Sequence, residues 1–276
     1  ALKDSVLVSN CLITGNSSSG NGGGARWITM TDCDVVGNVA ADGGGIDLTI
    51  ARNCKIFGNY ATNRGGGVRL SQVLNSIICS NNAGIEGGGG YGGTLSNCWV
   101  QYNASVSGGG MRAGLLYNCL FVGNSAGSRG AVYGDSAGIC FNCTVIGNFA
   151  TNYNGAGRHN FINCIIYSNN APANPNWEPG STFTNSCTWP EQSGWAAGNT
   201  TNYPMFLNPG AGYGANHEGG DYHLQPGSPC LNAGTNEPWM AGALDLNGRS
   251  RIDRFARRVD MGCYEYVPVG SLYQLR

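Results

Sequence analysis

Residues 53–70 read NCKIFGNYATNRGGGVRL, and one repeat earlier the chain reads DCDVVGNVAADGGGIDL over 32–48. The same phrase recurs along two thirds of the sequence. Its cysteine falls at Cys11, Cys33, Cys54, Cys98, Cys119, Cys143 and Cys164, with Ser76 and Ser186 in the same place, so that the copies follow one another at a nearly constant interval. Asn precedes that position in every copy but one, where Asp32 stands, and a second Asn follows it at Asn16, Asn38, Asn59, Asn81, Asn103, Asn124, Asn148 and Asn169. Glycine triplets follow at 22–24, 43–45, 65–67, 87–89 and 108–110, decaying to RGA at 129–131.

The period sets the architecture. A unit of about 22 residues is too short for a helix pair and matches one coil of a β-solenoid. Within a copy the alternation has period two, so Cys54 and Ile56 point one way and Lys55 and Phe57 the other. Ile13, Val35, Ile56, Ile78, Val100, Phe121, Val145 and Ile166 occupy the first of these faces and form the expected core. Coils stacked at about 4.8 Å place like residues over like. Asn suits such a stack because its amide donates to one neighbour and accepts from the other. Gly suits corners that need positive φ or close approach of backbones. Stacked like charges repel, which accounts for a charged fraction of only 11%.

Gly contributes 46 of 276 residues without a strict every-third spacing, which excludes collagen. A net charge of −1 gives no reason to expect nucleic acid or an anionic membrane as partner. No run of about 18 apolar residues is present, so no membrane-inserted helix is expected. The opening ALKDSVLVSN lacks the basic and apolar regions of a signal peptide, so Ala1 is read as following a cleavage or as the edge of a longer chain.

The pattern N-C-x-[IVF]-x-x-N…G-G-[GA]-[AIV] resembles the right-handed parallel β-helix repeats of bacterial surface proteins, among them the GGAI and FxxN repeats of polymorphic outer membrane proteins. IFGN, VVGN, FVGN and VIGN match FxxN loosely, and RGAV and GGGI match GGAI. DYHLQPGSPCLNAG (221–234), DLNGRSRID (245–253) and VDMGCYEY (259–266) resemble the terminal segment of many secreted bacterial β-helix proteins. The resemblance implies right-handed coils and an extracellular or cell-surface, bacterial location. The same scaffold hosts lyases, hydrolases, adhesins and spacers, so it leaves activity open.

Several residue sets are candidates for function. Two residues beyond each glycine triplet stand Arg26, Asp47, Arg69, Tyr91, Arg112, Tyr133 and Arg158. An outward stripe of this kind can hold carboxylated or sulfated sugar, with guanidinium forks on the anions and rings on the sugar faces. Alternatively it is a solvated ladder in which Asp47 neutralises Arg26 and Arg69. Trp99, Leu120, Val122, Ile146, Ile165 and Tyr167 make the outer flank of the later coils unusually apolar, as an interface would be; its partner is the chain's own C-terminal segment, another subunit or a ligand. For the inward cysteines three readings stay open: buried thiols packing as small hydrophobes, disulfide staples between coils, and metal ligation. The one CxxC, Cys140–Cys143, has no second pair to complete a zinc set, and no metal is expected. Cys230 and Cys263 lie outside the column and could form a disulfide that ties down the C-terminal segment.

Catalysis has little support in the sequence. Asp32, Asp34, Asp42 and Asp47 belong to one coil and its approach, Lys totals two, and His159, His217 and His223 stand apart. Asp245, Asn247 and Asp253 lack the spacing and closing Glu of a calcium loop. The reading is therefore an all-β chain: a right-handed parallel β-helix, or solenoid, of about nine coils of the repeat length over 1–190. A loop-rich segment over 191–276 packs on it or caps it. The expected role is an extracellular structural or adhesive module that self-associates or meets other surface proteins, a fibre subunit included, with no cofactor. The alternative is a domain that binds or cleaves polysaccharide.

Overall fold

The computed structural model describes residues 6–134, 138–153, 155–252 and 256–268. Among these residues the chain forms a parallel β-helix with three faces. Two faces carry nine stacked rungs each, from Leu7–Ser9 to Thr182–Thr184 and from Leu12–Thr14 to Cys187–Thr188. The third, from Val39–Asp42 to Phe149–Ala150, carries six. Pairing is parallel and in register at the repeat step: Lys55, Ile56 and Phe57 lie opposite Ile77, Ile78 and Cys79. Nine rungs make about eight full turns.

Each coil turns at left-handed residues. Asn10, Asp32, Asn53, Asn75, Asn97, Asn118, Asn142, Asn163 and Asn185, the residues before the cysteine position, all have φ between 46° and 55°. Asn and Asp tolerate this region better than other residues with a Cβ, which is why the repeat places them there. The glycine corner has a different cause. A Cβ on Gly66 would collide with the carbonyl oxygens of Asn82 and Gly88 in the next coil, so the second glycine is required by close approach of backbones.

The expected inward column is buried from Val35 to Ile166, while Ile13, on the first rung, is only half-buried. A second inward column that the repeat phrase does not reveal faces it: Met30, Ala51, Val73, Leu95, Leu116, Cys140, Phe161 and Phe183. The asparagine ladder runs along the corner between the second and third faces. Asn103 shows the pattern: its Nδ2 donates to Asn124 Oδ1 (3.0 Å) and to the Ile78 carbonyl (2.9 Å), and its Oδ1 accepts from the Asn81 backbone N–H (2.9 Å) and side-chain amide (3.0 Å). All hydrogen-bonding capacity of the buried amide is used. The last rung is supplied out of register. Asn176, from the Pro-rich excursion after Asn169, accepts from the Asn169 side chain at 3.0 Å and donates to Trp189 O at 2.6 Å. Trp177 and Trp195 then close this end, both edge-on to Phe183.

The cysteine column has one shared geometry. All nine side chains, from Cys11 to Cys164 and including Ser76 and Ser186, donate to the carbonyl two positions earlier at 2.7–3.5 Å. The position calls for a small side chain with an X–H donor that satisfies the corner carbonyl, which serine meets as well as cysteine. All twelve cysteines are free thiols. Burial comes first among the causes that push the Cys98, Cys119 and Cys140 thiols well above the ordinary range.

The C-terminal segment lies along the second face. Leu120, Val122, Ile146 and Ile165 are buried against Phe206, Tyr222, Leu224, Met261 and Tyr264, with Trp99 and Tyr167 half-buried at the margin. The left-handed asparagines of the later coils anchor it: Asn118, Asn142, Asn163 and Asn185 donate to the carbonyls of Leu244, Asp260, Thr235 and Ala233. The apolar flank is thus covered by the chain itself, and Leu120, Val122, Ile146 and Ile165 are not open to a second chain. Thr144, an outward residue, is buried for the same reason and accepts from the Cys263 N–H at 3.1 Å.

Candidate functional site

The residues after the glycine corner form a seam along the third face's edge. Ile46–Asp47 pairs in register with Ala25–Arg26 on one side and with Val68 and Arg69 on the other, so Arg26, Asp47 and Arg69 stack directly. Asp47 Oδ2 accepts from Arg26 Nε at 2.9 Å and Oδ1 from Arg69 NH1 at 2.7 Å, with the Asp47 side chain fully buried beneath them. Tyr91 follows Arg69 in register, then Arg112 and Tyr133.

Sequence reasoning missed the second half of the seam. The third face ends, just before each glycine triplet, in Asp42, Arg64 and Glu86, which are in register with one another. Glu86 reaches across the glycine corner, with Oε2 3.4 Å from Arg64 Nε and Oε1 3.1 Å from Arg112 Nε. Glu178, from the Pro-rich excursion, repeats the arrangement between Arg129 (2.7 Å) and Arg158 (3.9 Å). The signal was present in the residue preceding GGG, but only the glycine corner brings that column beside the Arg/Tyr column. Glu178 lies in a stretch that breaks the period and carries no repeat signature.

Rings interleave with the cations. Arg64 Cζ lies 5.2 Å from the Tyr91 centroid, and Arg112 and Arg129 lie 4.4 and 4.0 Å from Tyr133. Arg26 lies 3.8 Å over Trp27. Trp27, Leu48 and Leu70 add an outer rib beside the first three stacked positions. All three are exposed and all three have left-handed φ, at 57°, 48° and 45°. Bulky residues are costly in that conformation and gain nothing from exposure to water.

Among the described residues, the seam therefore gathers six of the chain's thirteen arginines with Asp42, Asp47, Glu86 and Glu178, in a chain whose net charge is −1. It spans about 30 Å at the ordinary strand spacing. Arg64 and Arg158 are the most open of the group, with half of each side chain exposed. Asp47, Glu86 and Glu178 are each held by two guanidinium groups, an arrangement that braces the arginines and commits these carboxylates to ion pairs.

Several titratable groups elsewhere are engaged in structure. His223 Nδ1 meets Asp221 Oδ1 at 2.5 Å, its Nε2 meets Asn247 Nδ2 at 2.6 Å, and its ring stacks on Tyr264 with centroids 4.2 Å apart. Burial pushes the Asp221 carboxyl up, but the bonds from His223 outweigh it and leave it below the usual range. His217 is buried between Tyr222 OH (2.7 Å) and Gly212 O (3.0 Å). Asp245, at the back of a cleft of about 400 Å³ between the C-terminal segment and the Trp99 flank, accepts from the backbone N–H groups of Asn247, Arg249 and Glu265. DLNGRSRID and VDMGCYEY thus meet as a buried knot, with Arg251 NH2 3.0 Å from Glu265 Oε1 and both side chains buried. Asp253 lies outside the described residues. Among the described residues, no group of three or more His, Cys, Asp or Glu side chains has a geometry that could hold a metal ion.

Cys230 and Cys263 are both buried under the C-terminal segment as free thiols. Cys187, on the last rung, donates its thiol to Asn202 O at 3.2 Å, and Cys263 lies over Thr144, whose hydroxyl accepts from the Cys263 N–H at 3.1 Å. The 259–266 segment crosses the face at Thr144, two rungs before Cys187.

No family model and no curated protein sequence matches the chain. Among solved structures, the crystal structure of pectate lyase Pel9A is similar over 90% of this chain and 70% of that one, with 14% sequence identity and a TM-score of 0.45.

Proposed function

We propose that this chain is an extracellular structural and adhesive β-helix module whose adhesive face is the arginine–carboxylate–tyrosine seam, and that the seam takes an acidic polysaccharide lying along the helix axis. The observation that carries the reading is the concentration of six arginines, spaced by carboxylates and tyrosine rings, on one face of a chain otherwise poor in charge. Guanidinium groups already braced by Glu86 and Glu178 lose little freedom on meeting a ligand carboxylate or sulfate, and the half-exposed Arg64 and Arg158 present theirs to solvent. Tyr91 and Trp27 offer flat apolar surface to sugar rings beside them. Cleavage of the bound chain has weaker support, because Asp47, Glu86 and Glu178 are committed to ion pairs.

Affinity electrophoresis through gels containing a uronic-acid polysaccharide, a sulfated polysaccharide or a neutral glucan tests the reading. Retardation by the anionic gels alone is expected. Equal mobility in all three gels, or retardation by the neutral glucan alone, overturns it.

Self-association, the other role expected of a surface module, has its best surface at the first rung. Leu7 and Leu12 are two-thirds exposed there, whereas the opposite end is closed by Trp177 and Trp195. Sedimentation velocity over a range of concentrations, on wild type and on a Leu7→Ser/Leu12→Ser variant, tests this: association is expected in the former and not in the latter. A wild type that stays monomeric throughout contradicts it.

A further inference from the structure

The left-handed asparagines before the cysteine position form an outer column at the corner that leads into the second face. Its later members are tied to polypeptide backbone: Asn118, Asn142, Asn163 and Asn185 donate through Nδ2 to carbonyls of the C-terminal segment at 2.8–3.3 Å. That cover stops at Asn118. One and two coils earlier stand Asn97 and Asn75, at φ 52° and 48° like the rest of the column. Asn97 Oδ1 accepts from Asn118 Nδ2 at 3.1 Å, but Asn97 Nδ2 and the Asn75 amide have no partner among the described residues.

Both asparagines line the cleft of about 400 Å³ that opens where the cover stops. Ile77, Trp99 and Leu246 form its apolar wall. Ile77 and Trp99 stand in register with Leu120, so the wall prolongs the flank that the C-terminal segment buries. Asp245 is the only charged residue among those lining the cleft. The volume lies at the lower end of ligand pockets, about 300–1,000 Å³, and suits a short stretch of chain better than a folded surface.

We propose that this cleft binds an extended peptide segment of a partner protein. Backbone carbonyls of the segment accept from Asn75 and Asn97, and a large apolar side chain lies on Ile77, Trp99 and Leu246. The bound segment extends by two coils the contact that the chain already makes with itself, with the same amides, the same backbone acceptors and the same apolar flank. Like-facing carbonyls of an extended strand are two rises of about 3.3 Å apart, against a coil step of about 4.8 Å, and the exposed Asn75 takes up the difference by turning its side chain. The Asp245 carboxylate at the back of the cleft repels an acidic side chain. The site is thus separate from the seam and opposite to it in charge preference.

Full-length protein labelled with nitrogen-15 is titrated with three probes: the capped peptide Gly-Ser-Phe-Ser-Gly, the same peptide with Asp in place of Phe, and diacetylchitobiose, which carries amide carbonyls on a sugar. The Phe peptide should give saturable shifts of the Trp99 indole signal and of the Asn75 and Asn97 side-chain amide signals, with weaker binding by the Asp peptide and none by the sugar. Asn75→Gly removes the amide and keeps the left-handed corner, and should weaken the Phe peptide about threefold or more at a little-changed Tm. Asn53→Gly, one coil earlier, lies outside the cleft and has its amide engaged with Asp32 at 3.1 Å, so it should bind as wild type. No shift of these signals by the Phe peptide, equal binding by the Asp peptide or the sugar, or undiminished binding by Asn75→Gly overturns the proposal.

Discussion

The side-chain amide of Asn103 donates to Oδ1 of Asn124, one coil further on, at 3.0 Å, with both residues fully buried. That bond is one step of a column in which each asparagine also satisfies a backbone N–H and a backbone carbonyl of neighbouring coils. The ladder ties the corner between the second and third faces through the whole stack. It makes the effect of removing one asparagine depend on its place in the stack.

Asn103→Ala removes four hydrogen bonds and leaves buried partners on Asn81 and Ile78 unmet. The expected loss of stability in urea denaturation is roughly 3–5 kcal/mol. Asn16→Ala, at the exposed start of the column, should cost less than about 1 kcal/mol. Equal losses at both sites would show that the ladder adds nothing beyond the backbone.

Cys119→Ser should leave the fold intact and change stability by about 1 kcal/mol or less, because Ser76 and Ser186 already do the same work in the same column. Cys119→Val retains bulk but leaves the Tyr117 carbonyl without its side-chain partner and should cost about 1–3 kcal/mol. Thermal unfolding of the two variants beside wild type tests the order. If Val proves the milder change, the thiol acts there as a hydrophobe and not as a donor.

Asp47→Asn keeps the shape but removes the charge between Arg26 and Arg69, two partly exposed cations whose repulsion water screens in part. The expected cost is about 1–2 kcal/mol, larger at low salt. Chemical denaturation at two ionic strengths measures both the size and its salt dependence. No change at either would remove Asp47 from the account of the seam.

Burial and the neighbouring Asp260 and Asp245 push the Glu265 carboxyl up from 4.5 to about 9, against the opposing pull of Arg251. Asp260 and Asp245 lie close enough to act on Glu265, so a proton on Glu265 relieves the excess negative charge. The folded state then holds a proton that the unfolded state releases between about pH 4.5 and 9, and stability falls as pH rises through that window. A slope of roughly 1 kcal/mol per pH unit between pH 5 and 8 is expected, and Glu265→Gln should flatten it. A wild-type profile already flat over that range would contradict the assignment.

The repeat phrase made the coil legible because each of its special residues answers a local demand: Asn53 takes a left-handed corner, Ile56 faces inward, and Gly66 lies where no Cβ fits. Features that depend on meetings between distant segments were not legible. Met30, Ala51 and Val73 form a core column whose sequence positions drift in residue type and so carry no motif. Asn176 completes the ladder from a loop that breaks the period. At the candidate site, the column from Arg26 to Tyr133 could be read from spacing, and the structure stacks it in register. The bracing carboxylates Glu86 and Glu178 could not, because one is paired across a glycine corner and the other arrives from the excursion. Cys230 and Cys263, read from the sequence as a pair, both lie buried as free thiols, and the route of the C-terminal segment sets Cys263 over Thr144.

The central claim is that the seam binds an acidic polysaccharide through its open arginines. Isothermal titration of a polyuronate into wild type and into Arg64→Ala/Arg158→Ala measures it most directly. The double variant removes the two most exposed guanidinium groups and leaves Glu86 paired with Arg112 and Glu178 with Arg129. The account predicts at least tenfold weaker binding by the variant at an unchanged Tm, and wild-type affinity that falls as salt is raised. Equal affinity of the two proteins, or no binding by wild type even at low salt, would contradict it.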